Sequence, residues 1–215
     1  MKNALILHGT SSTSESSWFS WLKGKLEADG WKVWAPDLPG ADKPNIRRYN
    51  EFLLSKDWAL NEESIIVGHS SGAVGALGLL QALPEGTKIR AAILVGAFHE
   101  HINKHKLRAF FRRPLTWHTM KVRYNVWRQY RRGELDLSEL FETPLDFDII
   151  RTRAEKFVLV HSDDDPYCPL AGATFMAKEL GGELTVVPGQ KHFSVGTAGE
   201  QYREFPLMLD IIEKL

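Results

Sequence analysis

Short apolar runs with little polar alternation recur along the chain. Runs of this kind are typical of strands that are covered on both faces of a parallel sheet. Six of them are present: Ala4 to Leu7, Trp31 to Trp34, Ile65 to Val67, Ala91 to Val95, Phe157 to Val160 and Leu184 to Val187. The pattern therefore predicts six strands.

Segments with helical spacing lie between most of these runs. One helix face is formed by Trp18, Leu22 and Leu26. Gly30 follows where this helix would end, and Pro169 and Pro206 stand where two later helices would begin. Strands and helices in this order predict an α/β fold with a doubly wound, mostly parallel six-stranded sheet.

The segment from about 99 to 150 breaks this alternation, because it contains no convincing strand. Its charges separate into a basic stretch, residues 104–132, and an acidic stretch, residues 134–148. Neither an internal repeat nor a low-complexity linker is visible. We therefore predict a single domain over residues 1–215 with a helical cap insertion at about 99–150.

Charge and cysteine content limit the classes of partner and the cellular compartment that the sequence allows. Lys+Arg and Asp+Glu both total 27, so no net charge favours nucleic acid or an anionic membrane as the partner. Cys168 is the only cysteine, which excludes an internal disulfide and fits a reducing compartment. The apolar run before His8 is too short for a signal-peptide core, and no run is long enough to span a bilayer. These observations predict a soluble, cytoplasmic protein.

Gly68-His69-Ser70-Ser71-Gly72 matches Gly-x-Ser-x-Gly, the pattern of a nucleophile elbow. The motif directly follows the third apolar run and precedes a helical segment, as an elbow requires. The serine of such a turn has a strained backbone, and its neighbours must be nearly free of side chain. We therefore predict Ser70 as a nucleophile. A plain strand-to-helix turn stays open, whereas a phosphate-binding loop is disfavoured because no Gly-Lys-Ser/Thr follows.

A serine nucleophile needs a histidine base and a carboxylate that orients it, in the chain order Ser, acid, His. An aspartate cluster follows the fifth apolar run. Asp165 is the predicted acid because a helix begins just beyond it, and Asp163 or Asp164 could take its place. His192 is the predicted base, because among eight histidines it alone follows both Ser70 and the aspartates.

Acyl transfer also requires hydrogen-bond donors for the oxyanion. One predicted donor is the backbone N–H of Ser71, the residue after the nucleophile. The other is expected in the loop after the first strand. It is the N–H of Thr10, with Ser11 as the fallback.

No motif for a cofactor is visible, so none is predicted. His99, His101 and His105 could be considered a metal cluster, but their spacing suits no single helix face well. We therefore predict no metal site.

With these residues assembled, the sequence resembles the α/β-hydrolase superfamily, and within it the compact serine hydrolases of the retinoblastoma-binding-protein and YdeN type. The resemblance rests on these motifs: His8-Gly9, Trp18-Phe-x-Trp21-Leu, Gly-His-Ser70-x-Gly, Ser162-x-Asp-Asp165-Pro-x-x-Pro and Gly189-x-x-His192-Phe. It implies the same triad of Ser70, Asp165 and His192. The Leu-x-Cys-x-Glu sequence associated with retinoblastoma binding is absent, so that partner is not implied.

The predicted activity is that of a carboxylesterase-like serine hydrolase acting on a carboxylic ester, thioester or amide of a small-molecule acyl substrate. His192 would take the proton of Ser70, which would attack the carbonyl and form an acyl-enzyme, while Asp165 supports the imidazolium. A serine rather than an aspartate at the elbow disfavours dehalogenase and epoxide hydrolase chemistry. Acyl transfer to an acceptor other than water stays open.

A second hypothesis is an interaction protein with a vestigial triad, which binds a partner through the basic, aromatic cap. Amphipathic cap helices with arginines in water explain that stretch more simply, so nucleic-acid binding is not expected. Four tryptophans could form an apolar acyl pocket, although helical aromatics are more often core residues: Trp18, Trp21, Trp117 and Trp127.

Overall fold

The computed structural model describes residues 1–99, 137 and 139–215. Most of the cap predicted at about 99–150 lies outside these residues. The basic, aromatic stretch on which the interaction hypothesis depends lies wholly outside them.

Six parallel strands form one sheet within the described part of the chain. They are β1 (Asn3–Leu7), β2 (Lys32–Trp34), β3 (Ser64–His69), β4 (Ile89–Val95), β5 (Ala154–His161) and β6 (Glu183–Val186). The strand order is β2-β1-β3-β4-β5-β6, and every pairing is parallel. Each predicted run is a strand, so the predicted sheet is confirmed. Because the strands are parallel, their carboxyl ends meet at one edge.

Helices connect the strands. They are α1 (Phe19–Ala28), α2 (Ile46–Leu54), α3 (Ser71–Ala82), α4 (Phe147–Ile150), α5 (Leu170–Leu180), α6 (Val195–Ala198) and α7 (Pro206–Glu213), with a 3-10 turn at Glu200–Arg203. Pro169 precedes α5, Gly181 ends it in the left-handed conformation, and Pro206 lies in the first turn of α7. No described helix is both long enough and apolar enough to cross a bilayer.

Both faces of the sheet are covered, which explains the continuous apolar runs. Buried residues of α1 and α7 pack on one face, among them Leu22 and Met208. Buried residues of α2, α3 and α5 pack on the other, among them Tyr49, Leu77 and Met176. The arrangement is doubly wound, and the loops at the carboxyl edge are left to build a site.

Glycine lets α3 begin directly against the end of β1. A Cβ at position 72 would lie 2.3 Å from the carbonyl oxygen of His8 and 2.4 Å from that of Leu7. A Cβ at position 68 would lie 2.5 Å from Ala73 Cα. Side chains do not approach backbone atoms this closely, so packing alone requires both glycines of the Gly-x-Ser-x-Gly motif.

We expect Gly72→Ala to lower the free energy of unfolding by about 3 kcal/mol, because the added methyl group meets backbone atoms that cannot move aside. Gly24→Ala in α1 is the matched control, since apart from its chain neighbours and the backbone of its own helix no described atom lies within 4 Å of its added Cβ. It should stabilise the protein by about 0.5–1 kcal/mol, because alanine is the better helix former. Urea denaturation of both variants measures the difference, and similar effects at the two positions would contradict the close contact.

Candidate active site

Ser70 occupies the turn between β3 and α3. Its backbone has φ 56° and ψ −124°, which side-chain-bearing residues rarely adopt. The N–H of Ser70 donates to the Val95 carbonyl at 2.9 Å, which holds this conformation against the neighbouring strand. The serine is partly exposed while the residues on either side of it are buried. The local geometry is therefore that of a nucleophile elbow.

Gly9 brings the loop after β1 against the elbow. A Cβ at position 9 would lie 2.9 Å from Ser70 Cβ and 3.3 Å from the carbonyl oxygen of His69. The absence of a side chain therefore lets the backbone of this loop pass beside the serine.

Thr10 and Ser71 meet beside Ser70. The Thr10 hydroxyl donates to Ser71 Oγ at 2.9 Å. In the described part of the chain, no group accepts a hydrogen bond from the backbone N–H of either residue. The N–H of Ser11, the fallback, instead donates to the Ala41 carbonyl at 2.8 Å. Thr10 and Ser71 therefore offer two backbone donors, whereas the N–H of Ser11 is already used.

The side chain of Asp165 is shielded from solvent and holds His192. Its Oδ2 lies 2.6 Å from His192 Nδ1, and the side chain of Asp165 is 0% exposed. Its Oδ1 accepts the backbone N–H groups of Tyr167 and Cys168, both at 2.9 Å. A carboxylate with this many donors is held in one orientation. Because a carboxylate can only accept, Nδ1 donates, and no described residue bonds Nε2 of His192.

The other two aspartates of the cluster contact the same loop at different points. Asp163 accepts the N–H of Gly189 at 2.9 Å. Asp164 accepts the N–H of Lys191 at 2.8 Å and pairs with the ammonium group of the same residue. The loop after β5 is thus joined to the loop after β6 by three successive carboxylates, of which Asp165 contacts the imidazole.

The loop that carries His192 has strained residues on both sides of the histidine. Lys191 has φ 54° and Phe193 has φ 51°. The Trp18 indole donates to the Phe193 carbonyl at 2.9 Å, and Trp18 is 0% exposed. Trp18 is therefore a core residue that supports this loop, not the wall of an acyl pocket.

His69, the second residue of the elbow motif, supports the loop from another side. Its ring centroid lies 4.7 Å from that of His192, and its Nε2 lies 2.8 Å from the His192 carbonyl oxygen. Because a carbonyl only accepts, Nε2 carries the proton. Burial, and secondly the neighbouring His192, lower the pKa of His69 to about 3, so His69 is a neutral donor.

Gly96, directly after β4, leaves room for the Asp–His pair. It has φ 58°, and a Cβ there would lie 3.0 Å from His192 Cε1 and 3.7 Å from Asp165 Oδ2. Sequence reasoning missed both Gly96 and the role of His69. The available signals were a glycine immediately after one apolar run and a polar residue at the end of another.

Ser70 and His192 lie at the same edge of the sheet without a direct hydrogen bond. Among the described residues, Ser70 Oγ has no hydrogen-bond partner, and Asp165 occupies only Nδ1 of the imidazole. Catalytic hydrogen bonds are often long before substrate binds, so this arrangement is compatible with proton transfer from the serine to Nε2.

One group of described residues could be considered as a metal site. Asp165, Cys168 and His192 each place a donor atom within 4.8 Å of the others. However, Asp165 and His192 already bond to each other at 2.6 Å, and burial raises the pKa of the Cys168 thiol well above its ordinary value. A neutral thiol is a poor metal ligand, so this donor set fits a metal ion badly.

Of the three histidines considered as a metal cluster, the structure describes one. The ring of His99 packs against those of Phe147 and Phe175, with centroid distances of 5.8 and 4.9 Å. His101 and His105 lie outside the described residues.

Asp164 allows a pH-dependent test of the loop contacts. Burial opposes its ionisation, but hydrogen bonds from Lys191 and Ser162 outweigh burial and hold the pKa of Asp164 below its ordinary value. The resulting stabilisation is present above the unfolded-state pKa and is lost as the pH falls through the folded-state pKa. We expect Asp164→Asn to lower the free energy of unfolding by about 1 kcal/mol at neutral pH. The loss should shrink near pH 3, as measured by urea denaturation.

Asp163→Asn is the control, because this exposed carboxylate accepts a single backbone hydrogen bond that the amide oxygen can replace. It should change the free energy of unfolding by less than about 0.5 kcal/mol. A loss for Asp164→Asn of the same size at both pH values would show that its charge does not stabilise the loop.

Comparison with known proteins identifies the family. The sequence model of the Serine hydrolase family matches residues 4–213. YdeN of Bacillus subtilis (strain 168) is 22% identical over 211 residues, which cover 98% of this chain and 94% of YdeN. Serine hydrolase RBBP9 of Rattus norvegicus is 29% identical over 120 residues, which cover 54% of this chain and 61% of RBBP9.

Solved structures share the fold. The crystal structure of the ydeN gene product from B. subtilis has a TM-score of 0.76 at 23% identity and covers 100% of this chain and 98% of that chain. A structure from Nitrososphaera gargenis, reported with activity profiles of carboxylesterases, has a TM-score of 0.69 at 17% identity. The match covers 99% of this chain and 89% of that chain. The fold is that of the α/β hydrolases. Because the family model matches nearly the whole length of the sequence, this chain belongs to the serine hydrolase family.

Proposed function

We propose that the protein hydrolyses a carboxylic ester or thioester through a triad of Ser70, His192 and Asp165. The observation that carries the proposal is the 2.6 Å bond between Asp165 Oδ2 and His192 Nδ1, which leaves Nε2 as the base. This imidazole stands at the same edge of the sheet as the strained turn that carries Ser70.

In the proposed reaction, Nε2 of His192 removes the proton of Ser70 Oγ as the oxygen attacks the substrate carbonyl. The imidazolium that forms is stabilised by the carboxylate of Asp165, which is shielded from water. Nε2 then gives its proton to the leaving group, and an acyl-enzyme on Ser70 remains. Water, activated by the same nitrogen, releases the acid.

The carbonyl oxygen becomes negatively charged during the attack and needs donors that are already in place. The backbone N–H groups of Thr10 and Ser71 are the proposed donors, and no described residue accepts a hydrogen bond from either of them. Preorganised donors of this kind contribute about 3–4 kcal/mol each to transition-state stabilisation. These steps use only groups of the chain itself, so the proposed activity needs no cofactor.

The substrate proposal is a small acyl compound, with water as the acceptor. It is supported by the carboxylesterase activity profiles reported with the structurally similar Nitrososphaera gargenis protein. Phe98 and Leu140, which lie before and after the part of the predicted cap that is outside the described residues, are buried in one cluster with Cys168.

Labelling with a fluorophosphonate probe tests the nucleophile. We expect a single adduct on Ser70, because only an activated serine reacts with this electrophile at neutral pH. Ser70→Ala and His192→Ala should abolish the adduct, as measured by mass spectrometry of the digested protein. Ser20→Ala in α1 is the control and should be labelled like the wild type.

Absence of the adduct from folded wild-type protein would overturn the proposed function. Folding is checked by circular dichroism on the same sample. Comparing the rates at which the labelled and unlabelled proteins hydrolyse p-nitrophenyl butyrate then tests whether the adduct blocks turnover.

Substituting the three aspartates one at a time tests which of them is the acid of the triad. Asp165→Asn should lower kcat for p-nitrophenyl butyrate by about 10³- to 10⁴-fold, because the carboxylate that orients the imidazole and balances its charge is lost. Asp163→Asn and Asp164→Asn should retain far more activity, since neither side chain contacts the imidazole. The exposed Asp57→Asn serves as the unchanged control. Equal losses at positions 163, 164 and 165 would contradict the assignment.

A further inference from the structure

We propose that His8 is a positioning residue of the oxyanion site, a neutral imidazole that sets the direction of the Thr10 N–H. The inference rests on the proposed function, because it takes that N–H to be an oxyanion donor. His8 would touch neither substrate nor the reacting atoms and would act through the Gly9–Thr10 peptide.

Both ring nitrogens of His8 are bonded to backbone groups. Nδ1 lies 2.9 Å from the Gly9 carbonyl oxygen, and the N–H of Leu38 lies 2.8 Å from Nε2. A carbonyl can only accept and an N–H can only donate. The proton of His8 must therefore reside on Nδ1, and Nε2 must be unprotonated. This fully satisfied imidazole is 1% exposed.

The bond to the Gly9 carbonyl fixes the donor on the other side of the same peptide group. In a trans peptide, the C=O of one residue and the N–H of the next point in opposite directions. Holding the Gly9 oxygen towards the imidazole thus turns the Thr10 N–H away from it. That N–H has no acceptor among the described residues, and the Thr10 hydroxyl is held by Ser71 Oγ at 2.9 Å.

The second bond of His8 connects this loop to the segment after β2, which supplies Leu38. Two further contacts join the same segments, namely Ser11 N–H to the Ala41 carbonyl at 2.8 Å and Ser14 N–H to Asp37 Oδ1 at 2.7 Å. The loop is therefore anchored without His8, whereas the orientation of the Gly9–Thr10 peptide depends on the imidazole.

The environment favours the neutral ring that this role requires. Burial lowers the pKa of His8, with the Gly9 carbonyl and the charge of Asp37 acting in the opposite direction. Protonation of Nε2 would place two N–H donors face to face, because the Leu38 N–H already points at that nitrogen.

Two substitutions of His8 by residues with an amide side chain test its two hydrogen bonds one at a time. His8→Asn places its amide at the same number of bonds from the backbone as Nδ1, so it can keep a donor for the Gly9 carbonyl. His8→Gln reaches the position of Nε2, so it can keep an acceptor for the Leu38 N–H but loses the donor to Gly9. Each variant loses one buried hydrogen bond, so their losses of stability should be similar.

We expect kcat for p-nitrophenyl butyrate to fall about 10- to 100-fold in His8→Gln, because an oxyanion donor is misdirected but not removed. In His8→Asn the fall should be less than about 3-fold. KM should change little in both variants, and the rate of fluorophosphonate labelling of Ser70 should follow kcat. Melting temperatures measured on the same samples report the structural effect. A kcat that falls equally in both variants, or only in proportion to the lost stability, overturns the positioning role.

A measurement on the wild-type protein keeps the inference testable if a variant does not fold. Long-range ¹H–¹⁵N spectra of the imidazoles should show His8 as the neutral Nδ1–H tautomer at neutral pH, because burial lowers its pKa. An Nε2–H tautomer, or a cationic His8 at neutral pH, overturns the inference. Wild-type labelling at Ser70 distinguishes the two proposals: a labelled protein with unaffected His8 variants refutes only the role of His8, and an unlabelled wild type refutes the proposed function with it.

Discussion

The close approach of α3 to the end of β1 is the constraint on which the rest of the site depends. A Cβ at position 72 would lie 2.3 Å from the His8 carbonyl oxygen, so only glycine permits the contact. The first turn of α3 carries Ser71, and the chain beyond β1 carries Thr10, so this contact brings the two proposed oxyanion donors together. The proposed oxyanion site thus arises from backbone packing before any of the proposed catalytic side chains is added.

Strain is concentrated at the carboxyl edge of the sheet. Ser70, Lys191 and Phe193 have φ values of 56°, 54° and 51°, and such conformations cost about 1–3 kcal/mol each. They persist because hydrogen bonds and packing hold them, notably the bonds of Val95 to Ser70 and of Trp18 to Phe193. The rigid sheet therefore supports strained turns that present both the proposed nucleophile and the proposed base.

The fold could be predicted from sequence because strands covered on both faces leave continuous apolar runs, and all six runs are strands. Helix α2 was missed, although Ile46, Tyr49 and Leu53 have helical spacing. In the site, the elbow is a local pattern that sequence reveals directly. The choice among three successive aspartates is not local, since it depends on how the loops after β5 and β6 meet. The bonds of His8 to Leu38 and of His69 to His192 could not be predicted either, because each joins a ring to the backbone of a segment distant in sequence.

The Trp18 indole bonds to the Phe193 carbonyl across 175 positions of the chain. During synthesis, β1, β3 and the elbow are complete long before residue 192 is added, so a nascent chain carries the proposed nucleophile without its base. Contacts of such long range form late in folding, because their loop-closure entropy must be overcome first. Hydrolytic competence would therefore arise only when the last loop docks on the first helix, and a partly made chain would be unable to attack acyl groups around it.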